Sequence, residues 1–166
     1  MSRYHFLALV PALLLSTTCT AFAVDEHHDG IPRLVAEVVV GTAGFEPGVA
    51  AEWRFGDPHF LVRPEVFIND DGDLGGGASI GWELTCFHLP DRHTITVGPR
   101  VVYHNSDDYG WGADAMAIWH FDLVPAQRGR HFLEVIGTVG AIEEEKPGDN
   151  DIDPAVSVGV GYGYQF

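Results

Sequence analysis

The segment 155–166 alternates strictly between two kinds of side chain, and this alternation constrains the fold more than any other feature of the chain. Every second residue, counted back from Phe166, is aromatic or valine, and the residues between are three glycines, one alanine, one serine and one glutamine. Side chains of a β-strand point alternately to its two faces. The segment therefore predicts a strand with one apolar face and one small or polar face.

The same period of two recurs along the chain, between breaks rich in glycine, proline and aspartate. Eight such runs predict strands at 34–42, 49–56, 60–68, 78–87, 94–103, 111–121, 132–142 and 155–166. Most have the roughly 9 to 11 residues that a tilted strand needs to cross a bilayer. We expect an all-β fold, an up-and-down antiparallel transmembrane β-barrel of about eight strands. Pro64 and Pro99 fall inside two of the runs, and we expect β-bulges there because proline cannot donate to a strand ladder.

The charged residues within the runs fall on one face of each predicted strand. They are Glu37, Glu52, Arg54, Arg63, Glu65, Glu83, Arg100, Asp114 and Glu134. A soluble, lipocalin-like barrel would turn this face to water, whereas a membrane barrel would turn it to the lumen. The chain has a single lysine, Lys146, although water-exposed faces are usually rich in lysine. Glycine is also frequent on the polar face, which suits a narrow interior.

We therefore expect the polar face to line the lumen and the apolar face to meet lipid. Aromatic residues gather at the predicted strand ends, as in interfacial girdles: Phe55, Phe60, Trp119, Phe121, Tyr164 and Phe166 at one end, Tyr103 and Trp111 at the other. The nine charged residues should then form a lumen network of arginine–carboxylate pairs. Because acids outnumber arginines in it, a narrow cation-preferring pore stays open as the alternative.

The N-terminus has the features of a secretory signal. Arg3 precedes the apolar run 6–15, and small residues follow up to Ala23, which indicates a signal peptide at 1–23. We expect a short leader at 24–33 and the barrel at 34–166. In the leader, His27 and His28 stand beside acidic residues and could bind a transition metal, although such leaders are usually plain polar chain.

Net charge and cysteine content argue against two further possibilities. The chain carries 9 lysine and arginine residues against 24 acidic ones, so nucleic acid is not an expected partner. One of the 2 cysteines lies in the predicted signal, and Cys86 alone cannot form an internal disulfide.

With a signal peptide, about eight alternating strands and a last strand ending at Phe166, the chain resembles small Gram-negative outer-membrane barrels of the outer membrane protein A and X type. The resemblance implies an outer-membrane location in contact with lipid and lipopolysaccharide. It also implies that the barrel-assembly machinery reads the terminal strand, with Tyr164 and Phe166 as the signal. It transfers no activity, and we expect a non-enzymatic protein that contributes to envelope structure, with no cofactor.

The connections expected to lie outside the cell, near 43–48, 69–77, 104–110 and 143–154, are strongly acidic. Two of them place carboxylates at alternate or adjacent positions beside a turn: Asp70, Asp71 and Asp73, and Asp149, Asp151 and Asp153. Such oxygens could bind Ca²⁺ or Mg²⁺ and so bridge the loops to anionic lipopolysaccharide. The alternative is a merely hydrated acidic loop.

The best enzymatic alternative is the pair His104 and Ser106, since a nucleophilic serine needs a histidine base. The spacing is similar to the His-x-Ser of outer-membrane lipid A deacylases, which would make the chain a lipid-modifying acyl hydrolase. However, His104 lies on the fifth predicted strand and its parity points inward. The stretch Asn-Ser-Asp-Asp at 105–108 also suits a simple turn.

Overall fold

The computed structural model describes residues 32–56, 60–84, 93–106, 108–125, 130–146 and 149–166. It contains eight strands: β1 Arg33–Gly41, β2 Gly44–Phe55, β3 Phe60–Ile68, β4 Leu74–Glu83, β5 His93–Tyr103, β6 Tyr109–Pro125, β7 Arg130–Lys146 and β8 Asp149–Gln165. Each strand pairs antiparallel with the next, and β8 closes on β1. The expected all-β up-and-down barrel of eight strands is thus confirmed. No helix in the described ranges is long and apolar enough to cross a membrane. The predicted signal peptide, most of the leader with His27 and His28, and Cys86 lie outside the described residues.

The strands are staggered around the barrel. Starting at Arg33 on β1, the residues in register on successive strands are Glu52, Arg63, Ser79, Arg100, Asp114, Gly140 and Ala155. In the β8 to β1 register, Ala155 is level with Ala43 and not with Arg33. A sheet can close into a barrel only with such a stagger, which tilts the strands against the barrel axis.

Several strands are longer than the sequence predicts. β2 already begins at Gly44, and β7 and β8 pair continuously up to Lys146 and Asp149. The prediction of an acidic loop at 143–154 is therefore wrong, because most of that segment is a paired β-hairpin. Its backbone groups satisfy each other across the hairpin, so its charged side chains do not prevent strand formation.

Neither proline forms the expected bulge. The β3–β4 register runs unchanged through Pro64, and the β5–β6 register through Pro99. Instead, the ladder on the other side of each proline lacks two pairs while keeping its register. Each proline thus removes local hydrogen bonds without inserting a residue. The register shifts lie elsewhere, between Tyr109 and Gly112 and between Asp122 and Val124.

Successive residues alternate between the lumen and the outer surface. On β1, Val35, Glu37 and Val39 are buried in the barrel, while Leu34 and Val40 are about half exposed outside. Two apolar clusters lie within the lumen: Leu61, Met116, Ile118 and Ile136 form one, and Val35, Ala50 and Phe132 form the other. The ring of Phe132 lies so close to Gly163 that a Cβ at that position would collide with it.

Aromatic pairs lie at both ends of the outer surface. At the end that holds Arg33 and Phe166, the terminal end, ring centroids are 5.5 Å apart for Phe60 and Trp82 and 4.3 Å for Trp119 and Phe121. At the opposite end, the hairpin end, Tyr103 and Trp111 are 5.0 Å apart.

Candidate functional site: a charged network in the lumen

The network is centred on Arg63, whose side chain on β3 is completely buried. One of its amino groups, Nη1, lies 2.5 Å from Glu52 Oε1 and 2.9 Å from Glu134 Oε2. The other, Nη2, contacts Glu37, and Nε is 3.7 Å from Glu65 Oε2. One guanidinium group therefore holds carboxylates from four strands.

His120 on β6 completes this group, which we call the central cluster: Arg63, Glu37, Glu52, Glu65, Glu134 and His120. The Nε2 atom of His120 lies 2.8 Å from Glu134 Oε1 and 3.3 Å from Glu52 Oε2. Each of these two glutamates thus directs one oxygen to Arg63 and the other to His120. The arrangement fixes both carboxylates from two sides.

Arg100 on β5 continues the network toward the hairpin end. Its Nη2 lies 2.5 Å from Glu65 Oε1, and its Nη1 donates to Asp114 Oδ2 over 2.8 Å. Glu65 is therefore shared between Arg100 and Arg63. Since Asp114 also lines a small cavity of about 30 Å³ with Arg100, this part of the network borders open space.

His104 and Glu46 form a second histidine–carboxylate pair at the hairpin end. Their Nδ1 and Oε1 atoms are 2.7 Å apart, and the imidazole packs on the ring of Phe67 with centroids 5.1 Å apart. Both side chains are more than nine-tenths buried.

Ser106 lies in the turn that follows His104. Its hydroxyl accepts from the backbone N–H of Tyr109 over 3.0 Å and contacts the carbonyl of the same residue at 3.3 Å. The described hydrogen bonds include none between Ser106 and His104. The two residues line the same cavity, of about 200 Å³, without forming a nucleophile–base pair.

Two arginines lie nearer the terminal end. Arg54 is 3.7 Å from Glu83 and 3.4 Å from the hydroxyl of Thr94. Arg33 donates from Nε to Gln165 over 3.2 Å, and its guanidinium lies over the ring of Phe132 at 5.1 Å.

All nine charged residues that the sequence assigns to the lumen lie inside the barrel. Sequence reasoning missed Glu46, His120, Arg33 and Gln165. For His120 a signal was present, because it has the same parity as Asp114 on the same strand. With Glu46 and Arg33 added, the described lumen holds seven carboxylates against four guanidinium groups: Glu37, Glu46, Glu52, Glu65, Glu83, Asp114 and Glu134 against Arg33, Arg54, Arg63 and Arg100.

The first acidic loop does not assemble a set of metal ligands. The side chain of Asn69 accepts from the backbone N–H groups of Asp71 and Asp73, and Asp70 accepts from the N–H of Phe45. These bonds shape the turn and leave the three aspartates without a common centre. In the described part of the chain, the three-residue group whose ligand atoms converge is Glu52, His120 and Glu134.

The second acidic segment is part of the β7–β8 hairpin. Asp151 lies opposite Glu144 and Asp153 opposite Ile142, while the side chain of Asp149 falls outside the described atoms. Asp151 accepts from the N–H of the next residue, Ile152.

No protein-family model, curated protein or solved structure matches this chain. Function must therefore be argued from the barrel and from the side chains inside it.

Proposed function

We propose that the chain spans the outer membrane of a Gram-negative bacterium as a closed, non-enzymatic barrel that contributes to envelope structure. The observation that carries the proposal is the reversed distribution of side chains. Arg63 and Glu52 inside the barrel are 0% exposed, whereas Val49 outside is 60% and Val160 61% exposed. In a soluble barrel the charged residues would face water and the valines would be inside.

The apolar outer surface needs an apolar surrounding. A soluble monomer rarely exposes a contiguous apolar patch larger than about 300–600 Å². Here every strand exposes large apolar side chains on its outer face, from Leu34 on β1 to Val160 on β8. Between the two aromatic ends, the described residues that face outward carry no charge. Lipid hydrocarbon meets this requirement, and the aromatic pairs at both ends suit the two interfaces with lipid headgroups and lipopolysaccharide.

The filled lumen supports a structural barrel over a cation pore. Leu61, Ile118 and Phe132 are at most 1% exposed inside it, and so are Arg63, Glu52 and Glu134 of the central cluster. Eight-stranded barrels are just wide enough to be filled by side chains. We expect no ion current when the purified barrel is added to a planar bilayer.

The terminal strand supports the proposed recognition by the assembly machinery. The ring of Tyr164 on β8, the strand that closes the barrel, lies 5.2 Å from the ring of Phe166, which directly follows that strand. We propose that this pair is read during insertion.

Expression of the full chain in a Gram-negative host tests both proposals. The protein should fractionate with the outer membrane and migrate faster on a gel when unheated than when boiled. Replacing Tyr164 and Phe166 with serine should block insertion and expose the chain to proteases. The matched control replaces Tyr103 and Trp111, the aromatic pair at the other end, and should still insert. Recovery of the unaltered chain as soluble periplasmic protein would contradict the membrane location.

A further inference from the structure

We propose that Glu52, His120 and Glu134 form a binding site for one zinc ion inside the barrel. The three side chains come from β2, β6 and β7 and are at most 3% exposed. One ligand atom from each lies within 4.8 Å of the other two. The proposal goes beyond a structural role for the barrel and does not depend on which membrane holds it.

An unsatisfied carboxylate oxygen marks the position of the ion. Glu134 Oε1 is buried and has no hydrogen-bond partner among the described residues, although it lies only 2.8 Å from His120 Nε2. The imidazole N–H direction instead suits Glu52 Oε2, at 3.3 Å. A cation bound between the imidazole nitrogen and both oxygens would satisfy all three atoms.

The two distances from His120 Nε2 to the carboxylate oxygens are close to those of a zinc site. A tetrahedral zinc ion with bonds of about 2.0 to 2.2 Å holds its ligand atoms roughly 3.3 Å apart. The separation of His120 Nε2 from Glu52 Oε2 already has this value, and a shift of about half an ångström by Glu134 would supply the second.

Arg63 would act as the outer partner of the bound ion. Its Nη1 atom holds the remaining oxygen of each glutamate, Glu52 Oε1 and Glu134 Oε2. Carboxylates that ligate a metal are commonly oriented in this way by a second hydrogen bond. The arginine and the metal would then occupy different oxygens and would not compete.

The charge of the lumen also favours a divalent cation. Arg63 faces four glutamates in the central cluster, of which only Glu65 also contacts a second arginine of the described chain, Arg100, and burying carboxylates without compensating charge is costly. A zinc ion supplies two of the missing positive charges where the carboxylates are most crowded. An imidazole with two carboxylates suits zinc, whereas Mg²⁺ and Ca²⁺ prefer six or more oxygen ligands.

The test uses the untagged barrel with His27 and His28 changed to alanine, so that the leader cannot contribute ligands. The barrel is refolded with zinc chloride, or with a chelator, because a sealed lumen would admit the ion during folding. After dialysis we expect one zinc per chain by elemental analysis and a higher urea midpoint than for the chelator-treated protein. X-ray absorption at the zinc edge should show nitrogen and oxygen ligands without sulfur.

The variants His120→Gln and Glu134→Gln should each lose the bound zinc. Removing an outer partner of a metal typically weakens binding about 10- to 100-fold, and loss of a direct ligand should exceed that. The matched control is His104→Gln, which changes the other buried histidine–carboxylate pair and should keep its zinc. Folded wild-type barrel without zinc would overturn the proposal, and so would zinc retained by both ligand variants. If a variant fails to fold, the X-ray absorption spectrum of the wild-type barrel tests the proposal instead. A zinc site with oxygen ligands alone would refute the proposed site, because His120 would not be a ligand.

Discussion

Two arginines in the lumen have the same kind of partner and very different surroundings. The side chain of Arg63 is 0% exposed, and so are those of its partners Glu52 and Glu134. Arg54 and Glu83 are 11% and 16% exposed, and their closest charged atoms are 3.7 Å apart. The first group is fully buried inside the barrel, while the side chains of the second keep some exposure near the terminal end.

The difference shows that ion pairs in one barrel need not contribute equally to the free energy of unfolding. Where water is excluded, removing one partner leaves a charge that nothing else can compensate. Where water has access, it takes the place of the lost partner, and the loss is small. The energetic effect of an arginine should therefore follow its burial and its number of partners.

The largest effect is expected for Arg63→Ala. Four glutamates would lose their shared cation, and breaking a buried ion pair costs about 3 to 5 kcal/mol. Urea unfolding of the barrel refolded into lipid vesicles measures this as a lower free energy of unfolding, or as failure to fold. A second variant combines Arg63→Met with Glu52→Gln and Glu134→Gln and should recover much of the loss, because it removes charge from both sides. A loss below about 1 kcal/mol for Arg63→Ala would place the cluster in contact with water.

An intermediate effect is expected for Arg100→Ala. Arg100 is 7% exposed and bonds to Glu65 and Asp114, but it also borders the cavity at the hairpin end. Water entering that cavity would hydrate the two carboxylates in part. Hydrogen bonds to charged groups are worth about 1.5 to 3 kcal/mol, and we expect a loss in this range under the same conditions. An effect as large as that of Arg63→Ala would mean that the cavity does not admit water.

The side-chain pattern made most of the fold predictable. The period of two assigns each residue to one face of its strand. In the structure, every charged residue within the predicted strands lies on the face that its parity predicts. Strand ends were less predictable where composition and pairing disagree. Glu143–Glu145 and the aspartates of β8 have the composition of a loop, yet they extend a hairpin because backbone pairing does not depend on their charges.

The site was predictable only in part, for two different reasons. Glu46 lies in a segment predicted to be a loop, so its inward parity could not be read before β2 was known to begin at Gly44. The parity of His120 predicts that it points inward, but histidine was missed because only formally charged residues were considered. The pairing of arginines with acids depends on the stagger between strands. The residue pattern within a single strand carries no information about that stagger.

The smallest effect is expected for Arg54→Ala. Its ion pair with Glu83 is long and partly exposed, and its Nε and Nη2 atoms, although buried, have no hydrogen-bond partner among the described residues. Truncation would therefore leave few groups unsatisfied, and exposed ion pairs contribute about 1 kcal/mol or less. Added salt should reduce even this difference, because water-accessible charges are screened. The measurement is the urea midpoint of Arg54→Ala and of the matched variant Glu83→Gln at low and high salt. A salt-independent loss of about 3 kcal/mol would show that Arg54 is sealed like Arg63, and burial would then no longer distinguish the two arginines.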